Sequence, residues 1–302
     1  MAKTYTVEKD YQNTRFDKWF KAKIINLPQS LIEKIIRLNK VKINRKRVKS
    51  SYRVKYGDIV EVYDISKFKE NDRPKILKYK PSPKEVDIYD DFIIENNENF
   101  IIINKPAGIA VQSGTKSFKN IIDILKDSKY FVDHKPYIVH RLDKETSGIL
   151  IVAKSREYAQ LFTSLFRIRK IHKTYIALTY GKVSKLKKTL KDDLILFENN
   201  KKIIQKAISY LKVLKSTDSY SYVELNPITG RKHQLRKQLY NIGNPIVGDN
   251  KYFINKRLDK KRIKNKNLML HAYKIKFMIN NIQYNFKAKY NKDFEGFLKK
   301  QF

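Results

Sequence analysis

The chain contains no cysteine. That excludes disulfides, a thiolate nucleophile and cysteine-ligated zinc. No apolar run approaches the roughly 20 residues of a membrane-spanning helix. The opening Met1-Ala2-Lys3-Thr4-Tyr5-Thr6 has no apolar signal core, and no long amphipathic helix offers a face to a bilayer. A Walker-type phosphate loop and clustered metal ligands are missing too. These absences predict a soluble, cytoplasmic protein with no membrane partner. Acids are also scarce, with 30 Asp+Glu against 66 Lys+Arg, a formal charge of +36 on 302 residues. Lys, Ile and Asn recur throughout, so compositional drift contributes to the excess. Even discounted, such a charge needs a polyanion nearby or suffers self-repulsion. The length allows two domains with one sizeable core.

What is present begins with a compact unit over residues 13–65. Phe16, Trp19, Phe20, Ile24 and Leu27 recur at helical spacing, as do Leu31, Ile32, Ile35 and Ile36. Ser30 with Glu33 fits a capping box for the second helix. Alternating strands follow at Lys40–Asn44 and Ile59–Tyr63, the latter after the turn Gly57-Asp58. Lys34, Arg37, Lys40, Arg45, Lys46 and Arg47 crowd the second helix and the turn after it, a local, one-signed cluster suited to phosphates. Residues 66–88 lose the periodicity, and Pro74, Pro81 and Pro83 favour extended chain, so this segment is expected to be a linker, with room for a strand around Ile76-Leu77.

The rest of the chain is organised around His140-Arg141-Leu142-Asp143-Lys144-Glu145-Thr146-Ser147-Gly148, followed by the apolar run Ile149–Ala153. That run predicts a buried strand, with an acid between cations delivered to its mouth. Alone, the segment is equally a surface turn with a salt-bridged Asp. Strands are expected at 92–95 and 100–103, the second ending in Asn104-Lys105-Pro106-Ala107-Gly108. Helices are expected over 118–125 and 157–167, and a strand over 171–178 that carries Tyr175. A strand Tyr is more often a packed ring than a catalyst. Thr229-Gly230 turns the chain into a basic helix, and its N-terminus with Arg231 and Arg236 makes an anion site.

These segments together resemble the RluA-type pseudouridine synthases, RNA-modifying enzymes with one catalytic Asp. The nonapeptide looks like their HRLDxxTSG motif, 104–108 like NKPxG, 173–177 like KxYxA and 229–236 like TGRxHQxR. Gly248–Tyr252 and Leu270-His271-Ala272 resemble the family's GDxxY and LHA segments and are expected to be structural. Lys237-Gln238 departs from the family's small apolar residue and His, which puts local packing in question. The 13–65 unit resembles the S-four RNA-binding domain, whose partner is structured RNA. Domain order and the segment Val111–Gly114 look most like the branch acting on large-subunit ribosomal RNA.

The resemblance implies an α+β protein. A small N-terminal α/β RNA-binding domain precedes a mixed, mainly antiparallel sheet with flanking helices over 89–302. It implies isomerisation of uridine to pseudouridine, with no cofactor and no metal, by a monomer. Asp143 is the expected catalyst, acting on the ribose or the base, or assisting elimination from the sugar. Arg236 is expected to pair with it, Tyr175 to stack on the base, and Arg141, Lys105 and Arg231 to hold the nucleotide or its phosphate. Two rivals explain less. A non-catalytic RNA-binding or ribosome-assembly protein gives no reason for Asp143 among cations, and a metal-dependent nuclease needs more carboxylates.

Overall fold

The computed structural model describes residues 2–68, 79–113, 118–183, 189–198, 201–253 and 267–302. It divides into two compact units, Met1–Leu77 and Lys78–Phe302. The strand expected at Ile76-Leu77, and Gly114 of the 111–114 segment, lie outside the described residues.

The first unit consists of β1 (Lys3–Thr6), α1 (Phe16–Lys23), α2 (Gln29–Arg37), β2 (Val41–Ile43) and β3 (Ile59–Val62). Its antiparallel sheet runs β1-β3-β2, so a strand at Lys3 joins the unit expected to begin at residue 13. Phe16, Trp19, Phe20, Leu27, Ile32 and Ile35 pack on Val41, Ile43, Val60 and Val62. The capping box is not formed. Helix α2 starts two residues earlier, after Pro28, and Gln29 uses its amide on Asp17 and Glu33. The β2–β3 connection opens with Asn44 and Arg45 at φ 49° and 63°. Asn44 suits that left-handed turn and ties it down, its amide reaching Asp58 at 2.8 Å. Lys34, Arg37, Arg45, Lys46 and Arg47 are exposed and Lys40 is half-exposed.

The second unit begins with α3 (Pro83–Asp90), β4 (Ile93–Asn96), β5 (Phe100–Lys105), α4 (Ile121–Lys126), β6 (Tyr137–Ile138) and β7 (Ser147–Ala153). It continues with α5 (Arg156–Arg167), β8 (His172–Tyr180), β9 (Thr189–Glu198), β10 (Lys201–Ser216), β11 (Tyr220–Pro227) and α6 (Gln234–Asn241). It closes with β12 (Leu270–Ile279), β13 (Ile282–Lys287) and α7 (Lys292–Gln301). Helix α3 corrects the expectation of extended chain to residue 88. Pro83 sits in its first turn, where the missing N–H has no partner to lose, and Ser82 caps the Glu85 N–H.

One mixed sheet orders its strands β4-β5-β7-β12-β8-β11-β10-β9, with β13 on β12 and β6 on β7. Its named strand pairs are antiparallel except β7 with β12. The continuous apolar run of β7 follows from burial on both faces. Ile149 and Ile151 pack towards Phe100, Phe162 and Phe277, while Leu150 and Val152 pack towards Ile101, Ile121 and Phe131. Helix α6 and α7 contribute Leu235, Leu239, Phe294 and Phe297 to the core over β8 and β11. Among the described residues no helix is long and apolar enough to cross a membrane.

Candidate active site

Asp143 lies on the loop feeding β7, and that loop is pinned at several points. The His140 Nε2 accepts the Ile151 N–H at 2.9 Å, folding the loop back on its own strand. Burial pulls the His140 pKa down to about 3, with Lys173 nearby adding to the effect, so the ring stays a neutral acceptor. The Thr146 N–H closes a turn on the Asp143 carbonyl at 3.1 Å. Ser147 Oγ lies 2.8 Å from His271 Nδ1, and burial holds His271 neutral with a pKa of about 4. Gly148 has φ 107°, and a Cβ there would sit 2.3 Å from the Ala272 carbonyl, so close passage of β7 by β12 requires glycine.

From the other side comes the turn after β5. The Gly108 N–H and the Lys105 ammonium both donate to the Lys144 carbonyl, at 2.9 and 3.1 Å. Lys105 also donates to Pro106 O at 2.7 Å and Ile109 O at 2.9 Å, and its side chain is fully buried. This corrects its assignment as a phosphate contact, because all three protons are used on backbone carbonyls. Burial lowers its pKa to about 7, opposed by the charges of Glu145 and Asp143. Lys105 is a peg that joins the turn after β5 to the loop of Asp143.

Arg236 comes from the first turns of α6. Its expected partner is not its main one. The guanidinium makes a two-pronged bond to Asp249, both contacts at 2.7 Å, while Asp143 Oδ2 is 3.9 Å away. Burial works against the charge of Arg236, but the bonds to Asp249 outweigh it and hold the pKa above its ordinary value. Asp249 further accepts the N–H groups of Lys251 and Tyr252 at 2.8 and 2.9 Å. The GDxxY segment is therefore what aims Arg236. His233, at φ 54° before α6, places Nε2 3.8 Å from Asp143 Oδ1 and Nδ1 2.9 Å from the Tyr252 hydroxyl. Burial lowers its pKa, with Asp143 pulling the other way. His233 lies in the 229–236 motif and Asp249 in the GDxxY segment, yet nothing in their spacing marks them as partners of Asp143 and Arg236.

Tyr175 is half-buried on β8 beside Asp143, and burial followed by that negative charge pushes its phenol well above 10. The hydroxyl stays protonated, so in the resting site it can donate a hydrogen bond and is no base. A cavity of about 910 Å³ opens over these groups, lined by Arg141, Asp143, Tyr175, Arg231, His233 and Arg236 among others. Arg141 and Arg231 are exposed at its walls, and Arg231 also reaches the Lys206 carbonyl at 3.3 Å. Gln234 and Gln238 fix the floor. Gln234 accepts from Thr229 Oγ1 and the Arg231 N–H, and Gln238 accepts from Ser209 Oγ while donating to β9 and β10. The departure at Gln238 thus puts a satisfied buried amide where the family's His stands.

Comparison with known proteins decides the family. Residues 99–241 match the model of the RNA pseudouridylate synthase family. A ribosomal large subunit pseudouridine synthase C of Buchnera aphidicola subsp. Baizongia pistaciae (strain Bp) is 32% identical over 285 residues, covering 90% of this chain and 88% of that protein. The chain belongs to the RNA pseudouridylate synthase family. A protein of the same description from Rickettsia felis (strain ATCC VR-1525 / URRWXCal2) is 36% identical over 257 residues, covering 80% of this chain and 82% of the relative. Among solved structures, Human RNA Pseudouridylate Synthase Domain Containing 4 superposes with a TM-score of 0.58 at 28% identity. It covers 71% of this chain and 94% of its own. The family match holds Asp143, Tyr175, His233 and Arg236, whereas Asp249 and Tyr252 lie beyond it.

Proposed function

We propose that this chain is an RNA pseudouridine synthase that isomerises uridine in large-subunit ribosomal RNA, with Asp143 as its catalyst. The name shared by the bacterial relatives supports the substrate. The observation that carries the chemistry is a carboxylate facing His233 and Arg236 in a cation-rich cavity, on a loop held by His140, Lys105 and Gly108. An acid in that position weakens phosphate binding, so its presence calls for chemistry.

The target uridine leaves its stack, at a cost of a few kcal/mol, and enters the cavity. The bond from N1 to the ribose breaks, the uracil turns, and a bond from its carbon 5 to the same ribose carbon forms. Carbon 5 then loses its proton and N1 gains one, so the product is an isomer. Asp143 serves this exchange at the ribose, at the base or by assisting elimination from the sugar. Arg236 faces its carboxylate from a mount fixed by Asp249. Tyr175 offers a ring to the turning base and a hydroxyl that stays protonated. Arg141 and Arg231 meet the RNA at the cavity walls. The cluster of Lys34, Arg37, Lys40, Arg45, Lys46 and Arg47 supplies a second, sequence-tolerant grip on structured RNA. The proposed setting is the cytoplasm and the proposed working form a monomer.

The test is incubation with a large-subunit ribosomal RNA transcript, followed by mapping of pseudouridine. Isomerised uridine at defined positions is expected. Unchanged RNA would leave a binding protein, and cleaved RNA would point to a nuclease.

A further inference from the structure

Lys173 has no place in the reaction described above, although it opens into the same cavity. Its side chain is only partly exposed, and burial lowers its pKa. Among the described residues its ammonium makes no ion pair and no hydrogen bond. Its neighbours are the Phe166 ring, 6.0 Å from Nζ, and the backbone at Gly230, where a Cβ would stand 4.0 Å away. Among the described residues no carboxylate pairs with it to offset the burial. The contrast with Lys105, whose three protons meet carbonyls, and with Arg236, which is paired with Asp249, is sharp. A half-buried cation with only an aromatic ring beside it and no anionic partner is unfavourable in the free protein, and an anion brought by the substrate would relieve it.

Position narrows the anion. Lys173 and Tyr175 are two residues apart on β8, so their side chains leave the same face about 7 Å apart along the strand. If the ring of Tyr175 carries the uracil, Lys173 meets the backbone of the same or the adjoining nucleotide. Arg167, at the end of α5, and Arg169, in the turn before β8, line the same cavity, both exposed, with Arg169 held at φ 59°. They form a rim of cations above the deeper one. We infer that Lys173 grips a phosphodiester group adjoining the flipped uridine, with Arg167 and Arg169 guiding the RNA backbone to it. This assignment rests on the proposed pseudouridine synthase reaction and adds a substrate-positioning residue to it.

The experiment is a double-mutant cycle between protein and RNA. Lys173→Met keeps the length of the side chain and removes the charge. The RNA is a synthetic hairpin from the large-subunit transcript carrying the uridine that the wild-type protein isomerises. Two further hairpins each replace one linkage, 5′ or 3′ of that uridine, by a neutral methylphosphonate. Removing a bond between charged groups weakens binding by about tenfold to a hundredfold. Lys173→Met is expected to lose that factor on the all-phosphate hairpin and nothing more on one of the two neutral ones. It should also melt a few degrees higher than the wild type, since an unmatched cation is gone. Losses that multiply at both linkages would overturn the inference and shift Lys173 to a contact with the base. A lower melting temperature with unchanged affinity would overturn it in favour of packing. Affinity for the full transcript is measured against salt in the same proteins, whether or not uridine is isomerised. The variant should flatten the slope of log affinity against log salt by about 0.7, the share of one single-strand phosphate. A flattened slope without any pseudouridine would refute the proposed function and keep the phosphate contact. Pseudouridine with an unchanged slope would do the reverse.

Discussion

The cations of the N-terminal unit face solvent, whereas the best-fixed cations around Asp143 are tied to protein oxygens. Lys34, Arg37, Lys40, Arg45, Lys46 and Arg47 make no ion pair among the described residues and are mostly exposed. Lys105 and Arg236 are buried; Lys105 spends its ammonium on three backbone carbonyls and Arg236 is bonded at two points to Asp249. Exposed charges of one sign act at a distance, are screened by salt and tolerate replacement one at a time. Buried charges act through geometry, and each removal leaves an acceptor or a counter-charge stranded. The first group suits a partner whose sequence matters little, the second a reaction whose atoms must be held in place.

The contrast is broken most severely at Asp249. Asp249→Asn leaves Arg236 buried with half its partner, and should destabilise the protein by roughly 3–5 kcal/mol in denaturant titrations. Turnover should fall with it, since the guanidinium facing Asp143 loses its mount. Next comes Lys105→Met, which takes a donor from the Pro106 and Ile109 carbonyls and leaves the Lys144 carbonyl with the Gly108 N–H alone. A loss of about 3 kcal/mol is expected, together with faster proteolysis near the Asp143 loop. An unchanged melting curve would return Lys105 to the substrate side of the site.

Buried histidines extend the contrast to pH. His140 and His271 are neutral in the fold, with pKa values of about 3 and about 4 against an ordinary 6.5. As pH falls the unfolded chain takes up these two protons first. Stability is therefore complete above about pH 6.5 and is lost as pH drops towards 4, by up to about 2.7 kcal/mol per pH unit. His271→Gln should cut that slope by about half in melts across this range.

The smallest effect on stability is expected where the charges are outermost. Replacing Arg45, Lys46 and Arg47 together by Gln should change stability by no more than about 0.5 kcal/mol. Affinity for ribosomal RNA should nevertheless drop, and its salt dependence should flatten by up to about two to three units of slope if three duplex phosphates are released. Equal slopes for the two proteins would remove the cluster from the RNA interface.

Local pattern carried most of the fold. The run Ile149–Ala153, the helical spacing of Tyr158, Phe162 and Leu165, and the strand at Tyr175 all lie where hydrophobic periodicity puts them. Pro83 misled because proline stops a helix from within but is welcome at its start. β1 was missed because four mostly exposed residues, Lys3–Thr6, leave little apolar pattern to read. In the site, Asp143 was legible as an acid out of place among cations. The pairing of Arg236 with Asp249 was not, because the two are brought together by a turn and not by a shared helix face. Nor was the inward course of Lys105, since the direction of a lysine in a tight turn depends on which carbonyls surround it. Residue types announce chemistry, but side-chain partners are set by tertiary folding.

Asp143→Asn tests the proposal most directly, with pseudouridine yield, RNA affinity and melting temperature measured on the same protein. The substitution keeps size and removes the negative charge. Because Arg236 stays bound to Asp249, the protein should remain folded, with a melting temperature close to the wild type. RNA affinity should hold or rise, since a carboxylate no longer repels phosphate. No pseudouridine should form. A stable, RNA-binding Asp143→Asn protein that isomerises uridine at the wild-type rate would contradict the assignment of Asp143 as the catalyst.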